Sequence, residues 1–164
     1  VPQRGLVEGY YGNPYSEANR MSIFELFGRQ KMNVYIYGPK DDAYHKSKWR
    51  EEYPAAQAAK ITEYVNAAKA NKVEFVWAIH PGQDIKWNEE DYENLVNKFE
   101  AMYDLGVRAF AVHFDDIEGN GTNPYYQTEL MNILNEKGYC IARRTVAKYR
   151  EMLGIPVARL RKEI

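Results

Sequence analysis

Two adjacent aspartates, Asp115 and Asp116, close an apolar run of strand-forming residues, Ala109-Phe110-Ala111-Val112-His113-Phe114. Neighbouring residues on a strand point to opposite faces, so the pair does not suit the facing acid and nucleophile of an ordinary retaining glycosidase. At the end of a strand, both carboxylates can reach one ligand from different directions. That suits substrate-assisted hydrolysis, in which an acetamido oxygen of the substrate is the nucleophile. One carboxylate orients the acetamido group while the other protonates the leaving oxygen and later activates water. Three further strand-like runs end in residues able to meet a polar ligand: Gly9, Lys40 with Asp41 and Asp42, and His80 with Asp84. A single aspartate in such a place is commonly a helix or turn cap. Polar residues at four successive strand ends describe a rim.

The elements that must position them alternate. Strand-like runs rich in aromatic and β-branched residues cover 6–12, 33–39, 74–82 and 109–116. Helical patterns fill the gaps at about 16–31 and 55–71, and a third helix starts after Asn88. Asn88 is a good N-cap, Glu89, Glu90 and Asp91 suit the first turn, and Tyr92, Leu95, Val96, Phe99, Met102 and Tyr103 form one apolar stripe up to Gly106. The order βαβαβαβ predicts an α/β fold with a parallel sheet and functional residues at the strand C-termini. Four units make half of a (β/α)₈ barrel, which takes about 250 residues. A helix at 127–137 and another at 143–153, joined by a turn containing Gly138, read as a helix-turn-helix-like segment instead of a fifth strand.

Charge divides along the same line. The chain of 164 residues has a net charge of −1, but residues 1–138 carry 15 basic and 21 acidic side chains, and residues 139–164 carry seven and two. Of 23 aromatic residues, only Tyr139 and Tyr149 lie beyond Tyr126. A hydrophobic share of 45% excludes a disordered chain. No apolar run approaches the roughly 20 residues that cross a bilayer, so no membrane partner is expected. A single cysteine, Cys140, cannot form an internal disulfide. The chain opens at Val1 without a signal-like segment, as an excised or processed piece would. No His, Cys or carboxylate cluster has the spacing of a metal site, so neither a metal nor another cofactor is expected, and His113 reads as a packing residue.

The strings Val7-Glu8-Gly9-Tyr10-Tyr11-Gly12, Met32 to Asp42, Phe75 to Gly82 and Phe114-Asp115-Asp116-Ile117 stand in the order found in glycoside hydrolase family 84. Over about residues 3–124 the chain resembles the N-terminal half of that family's catalytic barrel, which includes O-GlcNAcases. The resemblance implies a β-N-acetylglucosaminidase acting on glycans or glycoproteins with terminal N-acetylglucosamine. By position, it implies that Asp115 orients the acetamido group, that Asp116 is the general acid/base, and that Lys40 and the backbone at Gly9 hold sugar hydroxyls. It also implies impaired activity, because the second half of the barrel is missing and two open sheet edges invite self-association.

Residues 142–151, Ala-Arg-Arg-Thr-Val-Ala-Lys-Tyr-Arg-Glu, place Ala142, Val146, Tyr149 and Leu153 on one helical face and cations on the rest. Apolar residues toward a partner helix and cations toward phosphates or base edges describe a recognition helix. The string resembles the promoter-recognition box of sigma-54 transcription factors, with a likeness covering roughly 128–164. That resemblance implies DNA binding at a −24-type promoter element through Arg143, Arg144, Lys148 and Arg150. Two such resemblances imply a chimeric or designed chain, divided at 1–124 and 125–164 with the join between Thr122 and Asn135. The hydrolase part suggests a secreted or periplasmic setting and the tail a cytoplasmic one. A folded α/β scaffold with neither activity is the remaining expectation.

Overall fold

The computed structural model describes residues 2–114 and 117–139. Four strands, β1 (Gly5–Glu8), β2 (Val34–Tyr37), β3 (Glu74–Ile79) and β4 (Ala109–Val112), form one sheet. They are parallel and lie side by side in chain order. Helices α1 (Glu17–Gln30), α2 (Ala55–Ala70) and α3 (Glu89–Asp104) make the three crossovers, and α4 (Pro124–Glu136) follows β4. The α/β alternation is therefore as expected. The helix expected at 143–153, its four cations and Cys140 lie outside the described residues, as do Asp115 and Asp116.

Local chemistry explains the helix starts. Ser16 caps α1 with a reciprocal pair of bonds to Asn19, and Asn88 accepts from the Asp91 amide at the head of α3. Asn123 does the same for α4, where Pro124 occupies the first turn and gives up no needed donor.

The strands stop earlier than their sequence runs. Gly38 still donates to the Glu8 carbonyl at 3.0 Å, but the next residue, Pro39, has no N–H to donate on the side of β3. After Ile79, the His80 amide donates to the His45 carbonyl at 2.7 Å, so the β2–α2 loop takes the place of a further strand.

The sheet has two unlike faces. Tyr35, Tyr37, Phe75, Trp77, Ile79, Phe110 and Val112 alternate toward the helices and join a single aromatic-rich core. Val34, Val76, Ala78, Ala109 and Ala111 form a separate cluster of small side chains on the other face. Leu130 and Leu134 of α4 are fully buried in the large core, so α4 packs as part of the sheet's own unit. At Gly5, an added Cβ would lie 1.6 Å from the Val34 carbonyl oxygen, so only glycine permits the approach of β1 to β2 there. Among the described residues, no helix is long and apolar enough to cross a membrane.

Candidate active site

The parallel register of β1 and β2, with Glu8 opposite Tyr37, sets Gly9 beside the turn that carries Lys40. Glu8, Tyr10, Gly12, Pro39, Lys40 and Asp41 line one narrow cleft at these strand ends. The Lys40 ammonium lies 5.2 Å from the centre of the Tyr11 ring, within cation–π range. A Cβ at Gly9 would meet only Val7 Cγ1 at 3.6 Å and the Gly38 oxygen at 3.8 Å, ordinary contacts. Packing among the described residues therefore does not require glycine at this position. The structure thus sets Glu8 and Tyr10, the chain neighbours of Gly9, along the same cleft as Lys40, 31 positions on from Gly9 in sequence.

The other polar groups at strand ends serve the loops. Asp42 caps the short 3₁₀ turn Ala43–His45 by accepting from the Tyr44 amide at 2.8 Å. Its second oxygen accepts from the hydroxyls of Tyr37 (3.1 Å) and Tyr53 (2.7 Å), and Tyr53 accepts in turn from the Trp77 indole at 3.2 Å. Burial, aided by the Asp42 charge, pushes the Tyr37 and Tyr53 phenols well above their ordinary value. Asp84 accepts from Trp49 Nε1 at 2.7 Å and from Arg50 Nη1 at 2.5 Å. Arg50 also grips the buried Asp91 by two bonds of 2.7 Å, which locks the β2–α2 loop onto the start of α3. Asp42 and Asp84 thus accept the bonds that hold the loops, Asp42 half-buried and Asp84 exposed like Asp41.

His45 Nε2 lies 2.7 Å from the Pro39 carbonyl, and burial holds its ring below the ordinary histidine value despite Asp42. His113 has its ring against Gly38, with Cε1 3.4 Å from the position of a Gly38 Cβ. Among the described residues, no group of three or more His, Cys, Asp or Glu could hold a metal ion.

The flanks of the aspartate pair are held by packing. Phe114 stacks on Trp87 with centroids 6.0 Å apart, and Trp87 stacks on Tyr126 of α4 at 5.5 Å. Trp87 has φ of 57°, a left-handed backbone that a bulky residue rarely adopts. Behind this column, a Cβ on Gly82 would lie 2.6 Å from Ile117 Cγ2 and 3.0 Å from Phe114 Cδ1. Glycine at 82 lets the loop after β3 press directly on both neighbours of Asp115-Asp116.

Sequence reasoning missed one pair beneath the rim. Glu8 is 1% exposed and binds Arg20 of α1 through Nη2 at 2.7 Å and Nε at 3.0 Å, while the Tyr35 hydroxyl also donates to it. Burial alone would lower the Arg20 guanidinium, but the bonds from Glu8 raise it above its usual value. The available signal was strand parity: Glu8 shares the core-facing side of β1 with Leu6, and a charge there needs a partner.

Comparisons with known proteins follow the same ground. The family model described as beta-N-acetylglucosaminidase matches residues 4–151. The rat (Rattus norvegicus) protein O-GlcNAcase is 38% identical over 117 residues, which is 71% of this chain and 13% of that protein. The solved structure of CpGH84B is 45% identical with a TM-score of 0.79, over 82% of this chain and 24% of that one. A shorter stretch of 45 residues, 27% of this chain, is 47% identical to 9% of the RNA polymerase sigma-54 factor of Escherichia coli K12. The chain spans about an eighth of the rat protein and a quarter of the solved relative. With a match extending over most of its length, the chain belongs to the beta-N-acetylglucosaminidase family.

Proposed function

We propose that this chain carries the N-terminal half of a β-N-acetylglucosaminidase barrel and acts on terminal β-linked N-acetylglucosamine, as in O-GlcNAc-modified proteins. The observation that carries the reading is the side-by-side ending of β1 and β2, which sets Lys40 and both chain neighbours of Gly9 along one cleft, within a chain matched by the family model over residues 4–151. Catalytic groups in such a sheet gather at the strand C-termini. Lys40 donates to sugar hydroxyls and the Gly9 backbone borders them. Asp115 accepts from the acetamido N–H and turns its carbonyl oxygen onto the anomeric carbon. That oxygen forms the new bond as the glycosidic bond breaks, and Asp116 gives its proton to the leaving oxygen. Asp116 then takes a proton from the water that opens the oxazoline-type intermediate, with net retention. Four strands supply only part of the sugar contacts of a full barrel, so turnover is slow.

Hydrolysis of an aryl N-acetyl-β-glucosaminide tests the reading. Asp116→Ala abolishes release of the aryl alcohol, and equal rates in the two proteins would sink it. Gly9→Ala leaves stability unchanged, because its Cβ meets only ordinary contacts, yet weakens binding of N-acetylglucosamine.

A second reading rests on the 45-residue likeness to sigma-54. In it the cations Arg143, Arg144, Lys148 and Arg150 read a −24-type promoter duplex. A gel shift with salt-sensitive binding, lost on Arg144→Ala, supports it, and equal binding to scrambled DNA rejects it.

A further inference from the structure

A second cleft lies between the head of α1, the turn at 39–44 and α2, with a volume of about 380 Å³. That is within the range of small-ligand sites. It shares Pro39 and Asp41 with the cleft beside Gly9, but Glu8, Tyr10 and Lys40 of that cleft do not line it.

Three of its lining residues are buried and carry donors, Arg20, Tyr64 and Tyr37, the last spending its hydroxyl proton on Asp42. Arg20 is 8% exposed and has five N–H groups, of which Nε and one Nη2 proton go to Glu8 and one Nη1 proton to the Tyr64 oxygen at 3.3 Å. Two N–H groups of Arg20 and the Tyr64 hydroxyl proton have no acceptor among the described residues. Half-buried rings of Tyr15, Tyr44 and Tyr53 line the same space. At the mouth stand Asp41 and Glu17, the latter 3.1 Å from Lys60.

This arrangement selects by elimination. A ligand ammonium, which has no acceptor, leaves these donors unmet. Asp41, Asp42 and Glu17 outnumber Lys60 around the space, which disfavours an anion. Tyrosine faces favour a ligand with an apolar side. What remains is neutral, ring-shaped and rich in oxygen acceptors. We propose that this cleft is a second carbohydrate site, taking a neutral pyranose beside the Lys40 cleft and independently of hydrolysis.

The test is a titration of the ¹⁵N-labelled full chain with N-acetylglucosamine, read by amide chemical shifts. Saturable shifts are expected at Ser16, Ala43 and Gln57, which line this cleft and not the first. Tyr64→Phe removes one hydroxyl donor and weakens the apparent affinity about three- to tenfold. Tyr15→Ala, at the more accessible wall, weakens it comparably and serves if the buried substitution unfolds the chain. Lys40→Ala leaves these shifts in place while removing those at Gly9, so that failure of the first cleft and failure of the second are separately visible. Absence of saturable shifts at Ser16, Ala43 and Gln57 overturns the proposal. So does indifference to both tyrosine variants, or a response to inorganic phosphate or methylamine in place of the sugar.

Discussion

Glu8 on β1 and Arg20 on α1 form a two-pronged ion pair, buried on both sides, at the point where the first strand hands over to the candidate site. Arg20 lies 5.4 Å from the ring centres of both Tyr37 and Tyr64, so its charge is held by a carboxylate and two aromatic faces together. Removing one partner strands the other. Glu8→Ala is expected to cost about 3–5 kcal/mol in urea unfolding, and the joint replacement Glu8→Leu with Arg20→Met much less. A single variant as stable as the parent would show that the pair is solvated.

Lys98 on α3 makes stability depend on alkaline pH. Only 3% exposed, it donates to the Glu51 carbonyl and stands 4.4 Å from the Tyr53 ring centre. Burial pushes its ammonium down to about 8, against the nearby charges of Asp42, Glu52 and Glu51. Between that value and the ordinary lysine range near 10.5, the unfolded chain holds the extra proton. Stability therefore rises with pH across this window. Above about pH 10 the buried tyrosines reverse the trend, since the unfolded phenols ionise first. Thermal unfolding from pH 7 to 10 should show the rise in the parent and none in Lys98→Met.

Gly82→Ala tests the contact behind the aspartate pair. Its methyl must displace Ile117 and Phe114, at an expected cost of about 1–3 kcal/mol. Hydrolysis of the aryl glycoside should fall more than tenfold at a temperature where the variant remains folded. Unchanged turnover would mean that this packing does not set the position of the pair.

Much of the fold could be read in advance because its signals are local. The Asn88 cap and the stripe from Tyr92 to Met102 gave α3 within a residue or two, since caps and periodicity act over one helix. Strand ends were overestimated: apolar runs went on to Gly12 and Gly82, whereas pairing stops where Pro39 lacks a donor and where His45 captures the His80 amide. The latter bond spans 35 positions, and nothing local announces it. The same holds for Asp42 and Asp84, which look like site carboxylates until Tyr53, Trp49 and Arg50 arrive from the β2–α2 loop. That β1 and β2 end side by side, near Gly9 and the turn before Lys40, was legible because a parallel sheet in chain order makes successive strand ends neighbours.

The two outer strands give a prediction about association. Among the described residues, β1 pairs only with β2 and β4 only with β3. Unpaired edges template other strands, so light scattering should find a mass that grows with concentration. A strict monomer over a hundredfold range of concentration would show that both edges are covered.

The aromatic column at Trp87 has an optical consequence. The chain has three tryptophans, and Trp49 and Trp77 are sealed at 0% exposure, whereas Trp87 is half-buried between Phe114 and Tyr126. Collisional quenching of the native fluorescence by acrylamide therefore reports one ring, seated next to the segment that bears Asp115 and Asp116. The protein carries its own fluorophore at the rim, and the proposed sugar binding there can be followed without attaching a label.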